Sequence, residues 1–139
     1  MKKVLLLVAA AAMSVSVTFA QVDDKEAAKA AKAAAKALKA EIKEANKVLK
    51  EAQTALTAVD GNVDQANALI EVAMTNKHTA SNPDTWYTAG KIQNKYYDKE
   101  NEKMYLQQTY NQDKFFGSLS KMFDYFIVCD SLEQIPDEK

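Results

Sequence analysis

The sequence predicts an all-α protein: one long amino-terminal helix followed by antiparallel helix pairs. Three observations carry this. Only three Gly and two Pro occur in 139 residues, too few for a turn-rich β protein. Apolar residues from Ala28 to Val59 step alternately by three and four, the spacing of a helix seam. Between Gly61 and Gly90, Ala66, Ile70 and Ala73 share one helix face, and Trp86 and Gly90 share the next. Large residues there meet small ones, as closely packed helices require.

Residues 1–20 read as an export signal. Lys2 and Lys3 form the charged start, Val4 to Met13 the apolar segment, and Thr18-Phe19-Ala20 approximates a small-x-small cleavage site. Cleavage is expected between Ala20 and Gln21. Ser14, Ser16 and Thr18 interrupt the apolar run, which falls short of the roughly 20 residues of a membrane helix. No Cys follows to take a lipid anchor. The pattern looks bacterial, so the expected location is the periplasm or the outer envelope. The chain has eighteen basic groups, all Lys, against nineteen acidic ones, and the leader holds two of those Lys. A slightly acidic chain without Arg is a poor nucleic-acid binder.

Residues 21–59 are rich in Ala and Lys, strong helix formers, and predict one helix from Asp23 to Val59. Asp23, Asp24 and Glu26 sit where the helix dipole favours acids. The seam runs through Ala28, Ala31, Ala35, Leu38, Ile42, Ala45, Leu49, Ala52, Leu56 and Val59. Its first half is mainly Ala, and each Ala buries one methyl worth about 0.8 kcal/mol at best. Leu38 to Val59 is therefore expected to pack on the following helices, with Asp23 to Ala37 projecting or frayed. Beside the seam runs a lysine stripe: Lys29, Lys32, Lys36, Lys39, Lys43, Lys47 and Lys50. The plain reading is a solvated face. The sharper one is a site for an acidic partner, a lipid phosphate or a cell-wall polymer at the envelope.

The turn around Gly61 invites a metal reading. Asp60, Asn62, Asp64 and Glu71 occupy positions 1, 3, 5 and 12 of a calcium-loop pattern. Position 6 is Gln65 where the loop needs Gly, and 66–71 reads as helix. Asp and Asn beside Gly are read here as turn and N-cap residues, and no metal or cofactor is expected. The helix through Ala73 is expected to end near Lys77. His78, the only His, has no cluster of ligating residues around it. Asn82 should cap a helix with Pro83 in its first turn, running to about Tyr97. Residues 98–113 are polar, with Met104, Tyr105, Leu106 and Tyr110 interspersed. They read as a helical extension plus a loop tucking its aromatics inward, and Glu100 and Glu102 read as solvated. Lys114 to Glu133 predicts the last helix, packed through Phe115, Leu119, Met122, Phe123, Phe126 and Cys129. Cys129, the only Cys, reads as a small buried hydrophobe.

The stretch from Gly61 to Gly90 resembles a tetratricopeptide repeat, a helix–turn–helix unit of about 34 residues. Gly61 to Gln65 is similar to the turn within a repeat. Ala66, Ile70 and Ala73 match the small, large, small positions of its second helix. Trp86-x-x-Ala89-Gly90 matches the start of the next first helix, with Ala89 where Leu is usual and Gln93 where Tyr is usual. Met122, Phe126 and Cys129 resemble a second small-large-small trio. The spacing from Ala73 to Trp86 is two residues longer than the regular period. The resemblance implies a solenoid over 60–139 with Ala66, Ile70, Ala73, Trp86, Gly90, Met122, Phe126 and Cys129 as repeat core. First helices line the groove of that family, so it implies Tyr87, Lys91, Asn94 and Lys95 as protein-binding residues. Pro136-Asp137 repeats Pro83-Asp84, as though a further repeat began there. As a whole the chain resembles exported tetratricopeptide-containing proteins of Bacteroides-type bacteria. The expected function is a scaffold for protein–protein interaction, not an enzyme. The alternative is an envelope-associated chaperone or surface binder acting through the lysine-striped heptad helix.

Overall fold

Long runs of helix-forming residues, broken only by short polar turns, leave the chain few ways to fold. The computed structural model describes residues 24–58 and 61–134. It contains four helices: α1 Asp24–Thr57, α2 Val63–Thr75, α3 Pro83–Tyr105 and α4 Gln112–Glu133. No strand occurs among the described residues. Residues 1–20, read in the sequence as an export signal, lie outside them, as do Val59, Asp60 and Pro136-Asp137.

Each turn is set by local chemistry. The Gly61 N–H bonds the Ala58 carbonyl at 2.9 Å. A Cβ at Gly61 would meet the Ala55 and Ala58 carbonyls at 2.6 and 2.8 Å, so only Gly fits this close return over the end of α1. Asn62 then caps α2, its side chain accepting from the Gln65 N–H at 3.0 Å. Asn82 caps α3 through the Asp84 N–H, with Pro83 in the first turn. Asn111 caps α4 through the Lys114 N–H at 2.8 Å.

The core lies where α1, α2 and α3 meet. Leu49 and Ala52 come from α1, Val63, Ala66, Ile70 and Ala73 from α2, and Ala89, Ile92 and Tyr96 from α3. Alanines at the contact let the helix backbones approach, and Ile70 and Ile92 fill the space between. Burying each isoleucine is worth about 1.5–3 kcal/mol. Each helix packs on its neighbours in sequence: α1 on α2, α2 on α3, α3 on α4. Contact of α1 with α3 is slight, and α1 does not meet α4. The Gln53 amide, 3.3 Å from the Thr88 hydroxyl, links α1 to α3.

Packing along α1 begins at Ala45 and not at Leu38 as its apolar bulk suggests. Leu38 and Ile42 are 48% and 38% exposed. The cause is the length of α2. Its 13 residues span roughly 20 Å at 1.5 Å per residue, so it covers only the last part of α1. The α2–α3 turn reaches one step further. Lys77 Nζ and His78 Nε2 lie 3.0 and 3.4 Å from Glu41 Oε2. Short of Glu41 the helix projects as an arm.

The long α2–α3 connection is ordered by side chains that bond its backbone. Thr79 Oγ1 donates to the Ala73 carbonyl at 2.6 Å. Thr85 Oγ1 donates to the Thr79 carbonyl at 2.8 Å, and Trp86 Nε1 to the Ala80 carbonyl at 2.7 Å. These bonds hold the connection between Ala73 and Trp86 in place. They also place the indole. Trp86 is half-buried beside Tyr125, ring centroids 5.8 Å apart, at one side of the core. The centre of the core on α3 is filled by Ala89 and Ile92.

Residues 98–113 hold the expected helical extension and loop, but the structure corrects where Met104, Tyr105, Leu106 and Glu100 lie. The third helix continues through Tyr105, because Asp98 to Met104 contains no helix breaker. Tyr105 is 77% exposed, and Met104 and Leu106 are exposed as well, so they do not tuck inward. Tyr110 does, edge-on to Phe115 at 5.9 Å. Glu100 is 4% exposed where a solvated residue was expected. Its carboxylate accepts from Lys103 Nζ at 2.7 Å and from the Asn111 N–H at 2.8 Å. It thereby holds the turn into α4.

Candidate functional site

The core-facing side of α3 carries Thr85, Ala89, Ile92 and Tyr96, all buried. At about 100° per residue, Tyr87, Lys91, Asn94 and Lys95 fall together on its opposite side. Tyr87, Lys91 and Lys95 are exposed and Asn94 is half-buried. Lys91 Nζ sits 5.4 Å from the Tyr87 ring centroid. The Asn94 amide donates to Asp98 Oδ2 at 3.0 Å. The four residues thus share one outward strip.

That strip runs into α4. The Tyr87 ring lies 6.0 Å from that of Phe126. A Cβ on Gly90 would meet the same Phe126 ring at 2.5 Å, so the absent side chain at 90 is what admits Phe126 to α3. Phe115 seals the other end, its ring 4.7 Å from Tyr97. Cys129 is buried, and Leu119, Met122 and Phe126 are half-buried. Phe123 departs from the expected packing face. It is 57% exposed, and Phe116 and Ile127 are 62% and 64% exposed. Their spacing, i, i+7 and i+11, makes them a single outward row. Asp124 and Asp130 border it.

On the other side of α3, a polar cleft of about 280 Å³ opens between α2, α3 and α4. Asn67, Gln93, Tyr96, Lys114, Ser118 and Lys121 are among its lining residues. Three of its polar side chains, Asn67, Gln93 and Tyr96, are engaged in hydrogen bonds. Gln93 Nε2 donates to Asn67 Oδ1 at 3.1 Å, Asn67 Nδ2 to Glu71 at 2.8 Å, and the Tyr96 hydroxyl to Asp64 at 2.6 Å. Lys114 Nζ stands 4.2 Å over the Tyr96 ring. Asn62 and Asp64, read in the sequence against a calcium pattern, serve instead as the α2 cap and the Tyr96 acceptor.

The titrating groups reinforce structure. Burial pushes the Tyr96 phenol up, helped by its bond to the Asp64 carboxylate. Burial likewise raises Tyr125 and the Cys129 thiol, the latter aided by Glu133. A raised thiol is a poor nucleophile. Hydrogen bonds from Lys77 and then His78 hold Glu41 below the ordinary carboxylate range. Lys103 and the Asn111 N–H do the same for Glu100.

No family model, curated protein or solved structure matches this chain. Among the described residues, no helix is long and apolar enough to cross a membrane. The outward α4 row was missed in the sequence, although a signal was present. Phe115, Phe116, Leu119, Met122, Phe123, Phe126, Ile127 and Val128 exceed what one buried face of a helix can take.

Proposed function

We propose that this chain is an exported helical-repeat scaffold of tetratricopeptide-like type, which binds a protein segment across the outward surface of α3 and α4. The row of Phe116, Phe123 and Ile127 carries this reading. Three large apolar side chains in line on one exposed helix face form the kind of patch that marks an interaction site. Tyr87 and Lys91 extend it onto α3, where an aromatic ring beside a cation suits protein recognition. Helices stacked each on its sequence neighbour, with alanines and Gly90 at the contacts, are consistent with repeat architecture.

A photo-crosslinking residue placed at Tyr87, at Phe123, and at the exposed Val72 on α2 tests this in the cell. The reading expects protein adducts from positions 87 and 123 and few from 72. Equal yields from all three, or adducts from Val72 alone, would overturn it.

A second reading draws on the arm, where residues 25–44 are exposed and carry Lys29 to Lys43 in a row. It makes the chain an envelope binder held by anionic groups. Such binding disappears at about 1 M salt, where the screening length falls to about 3 Å, and cosedimentation with anionic vesicles would report it.

A further inference from the structure

We propose that the segment received by the outward face of α4 is the projecting arm of a second copy of this chain. This deepens the scaffold reading, on which it rests for the surface, by naming the occupant.

Shape is the first argument. The arm presents Ala28, Ala31 and Ala35, then Leu38 and Ile42, along one line that none of the described residues buries. The α4 row presents Phe116, Phe123 and Ile127. A small-residue ridge takes large rings at close approach, the same pairing that Gly90 and Phe126 make within the molecule. The lengths are compatible: eleven residue steps from Phe116 to Ile127 rise about 16 Å, within the fourteen steps and about 21 Å from Ala28 to Ile42.

Charge is the second. A lysine follows each seam position of the arm: Lys29, Lys32, Lys36, Lys39 and Lys43. Two arms laid together would set lysine rows side by side, and like charges at such spacing repel. The α4 row is bordered by Asp124 and Asp130, while Lys114 and Lys121 turn into the cleft. Two α4 faces would oppose acid to acid. Arm on α4 is the combination in which both the apolar lines and the charges match.

The third argument is connectivity. The arm is the same unbroken helix that packs on α2, and α1 does not meet α4. A helix cannot fold back on its own chain, so the arm reaches an α4 face only in another molecule. Two copies exchanging arms about a two-fold axis close as a dimer, whereas one-way docking builds open chains.

Sedimentation of the full chain against concentration and salt, with charge-reversed variants, tests this. The unaltered chain is expected to associate at about 0.1 M salt and to dissociate toward about 1 M. Lys32→Glu/Lys36→Glu/Lys39→Glu and, separately, Asp124→Lys/Asp130→Lys should each weaken association at least about tenfold, or 1.4 kcal/mol. Mixing the two variants should restore complexes containing one of each. All five positions are exposed, so circular dichroism should show unchanged helix. If either set lowers it, the single changes Lys36→Glu and Asp124→Lys replace that set. A chain monomeric at every concentration, or a mixture that stays dissociated, overturns the proposal. Adducts from Phe123 to a different protein, with the charge variants silent, would sink the self-partner while leaving the scaffold reading standing. No adduct at all would sink both.

Discussion

Gly90 measures how closely α3 and α4 approach. Replacing it with Ala sets two effects against each other. Helix propensity favours Ala by about 1 kcal/mol, while a Cβ at 2.5 Å from the Phe126 ring overpacks the contact at about 1–3 kcal/mol. Overpacking should win, and G90A should lose about 1 kcal/mol in denaturant unfolding. Placed in a Phe126→Ala background, the same change should stabilise by about 0.5–1 kcal/mol, because propensity then acts alone. Loss in both backgrounds would mean that Phe126 is not the neighbour that matters. Glu100 gives a residue-scale test in pH. Its folded pKa lies below the ordinary 4.5, so its stabilisation is present above about 4.5 and is lost as pH falls through the lower, folded value. Glu100→Gln should therefore be less stable than the unaltered chain near neutrality, with the gap narrowing in acid. A gap constant with pH would remove the carboxylate's charge from the account. Nothing in the sequence placed Glu100 inside. The nearby Lys103, three residues on, fits a solvated pair equally well, and the second donor, the Asn111 N–H, is brought to it only by the turn.

The helices themselves were the legible part. Few Gly and Pro, the Asn82-Pro83-Asp84 start and the Ala66, Ile70, Ala73 face all read directly, and the structure is all-α with these residues where local chemistry puts them. The end of α3 was less legible, because Asp98 to Tyr105 is polar without being helix-breaking, and amphipathic pattern rather than propensity had set the boundary. Leu38 and Ile42 misled for a different reason. Their apolar bulk is real, but whether it is covered depends on how far α2 extends, which is a property of another element. Two element-scale results are expected. Amide hydrogen exchange along α1 should divide near Ala45, fast before it and protected after it, since helical hydrogen bonds without tertiary packing open readily. Uniform protection from Asp24 onward in dilute solution would contradict the projecting arm. In the α2–α3 turn, Thr79→Val keeps the shape and deletes the donor to the buried Ala73 carbonyl. The Asn76 N–H still reaches that carbonyl at 3.4 Å, so a loss of about 0.5–1.5 kcal/mol is expected from the deleted bond alone, and thermal unfolding would show a null effect if the turn were held by something else.

At the scale of the molecule, the described residues form a stack in which each helix meets its sequence neighbours, with the arm of α1 uncovered at one end and the outer face of α4 at the other. The sequence could show that α4 had more apolar residues than one face buries. It could not show which of them remain outside, because that depends on how α4 is rotated against α3, and the Gly90–Phe126 contact sets that rotation. Two unsatisfied surfaces of opposite charge at opposite ends are what make association between copies the natural use of this shape. Hydroxyl-radical footprinting of side chains in dilute and in concentrated solution tests this most directly. The account predicts that Phe116, Phe123 and Ile127 react readily when dilute, while Ile70 and Ile92 do not, and that Phe123 and Leu38 become protected together as concentration rises. Phe123 already protected in dilute monomer, or protected on association while Leu38 stays reactive, would contradict it.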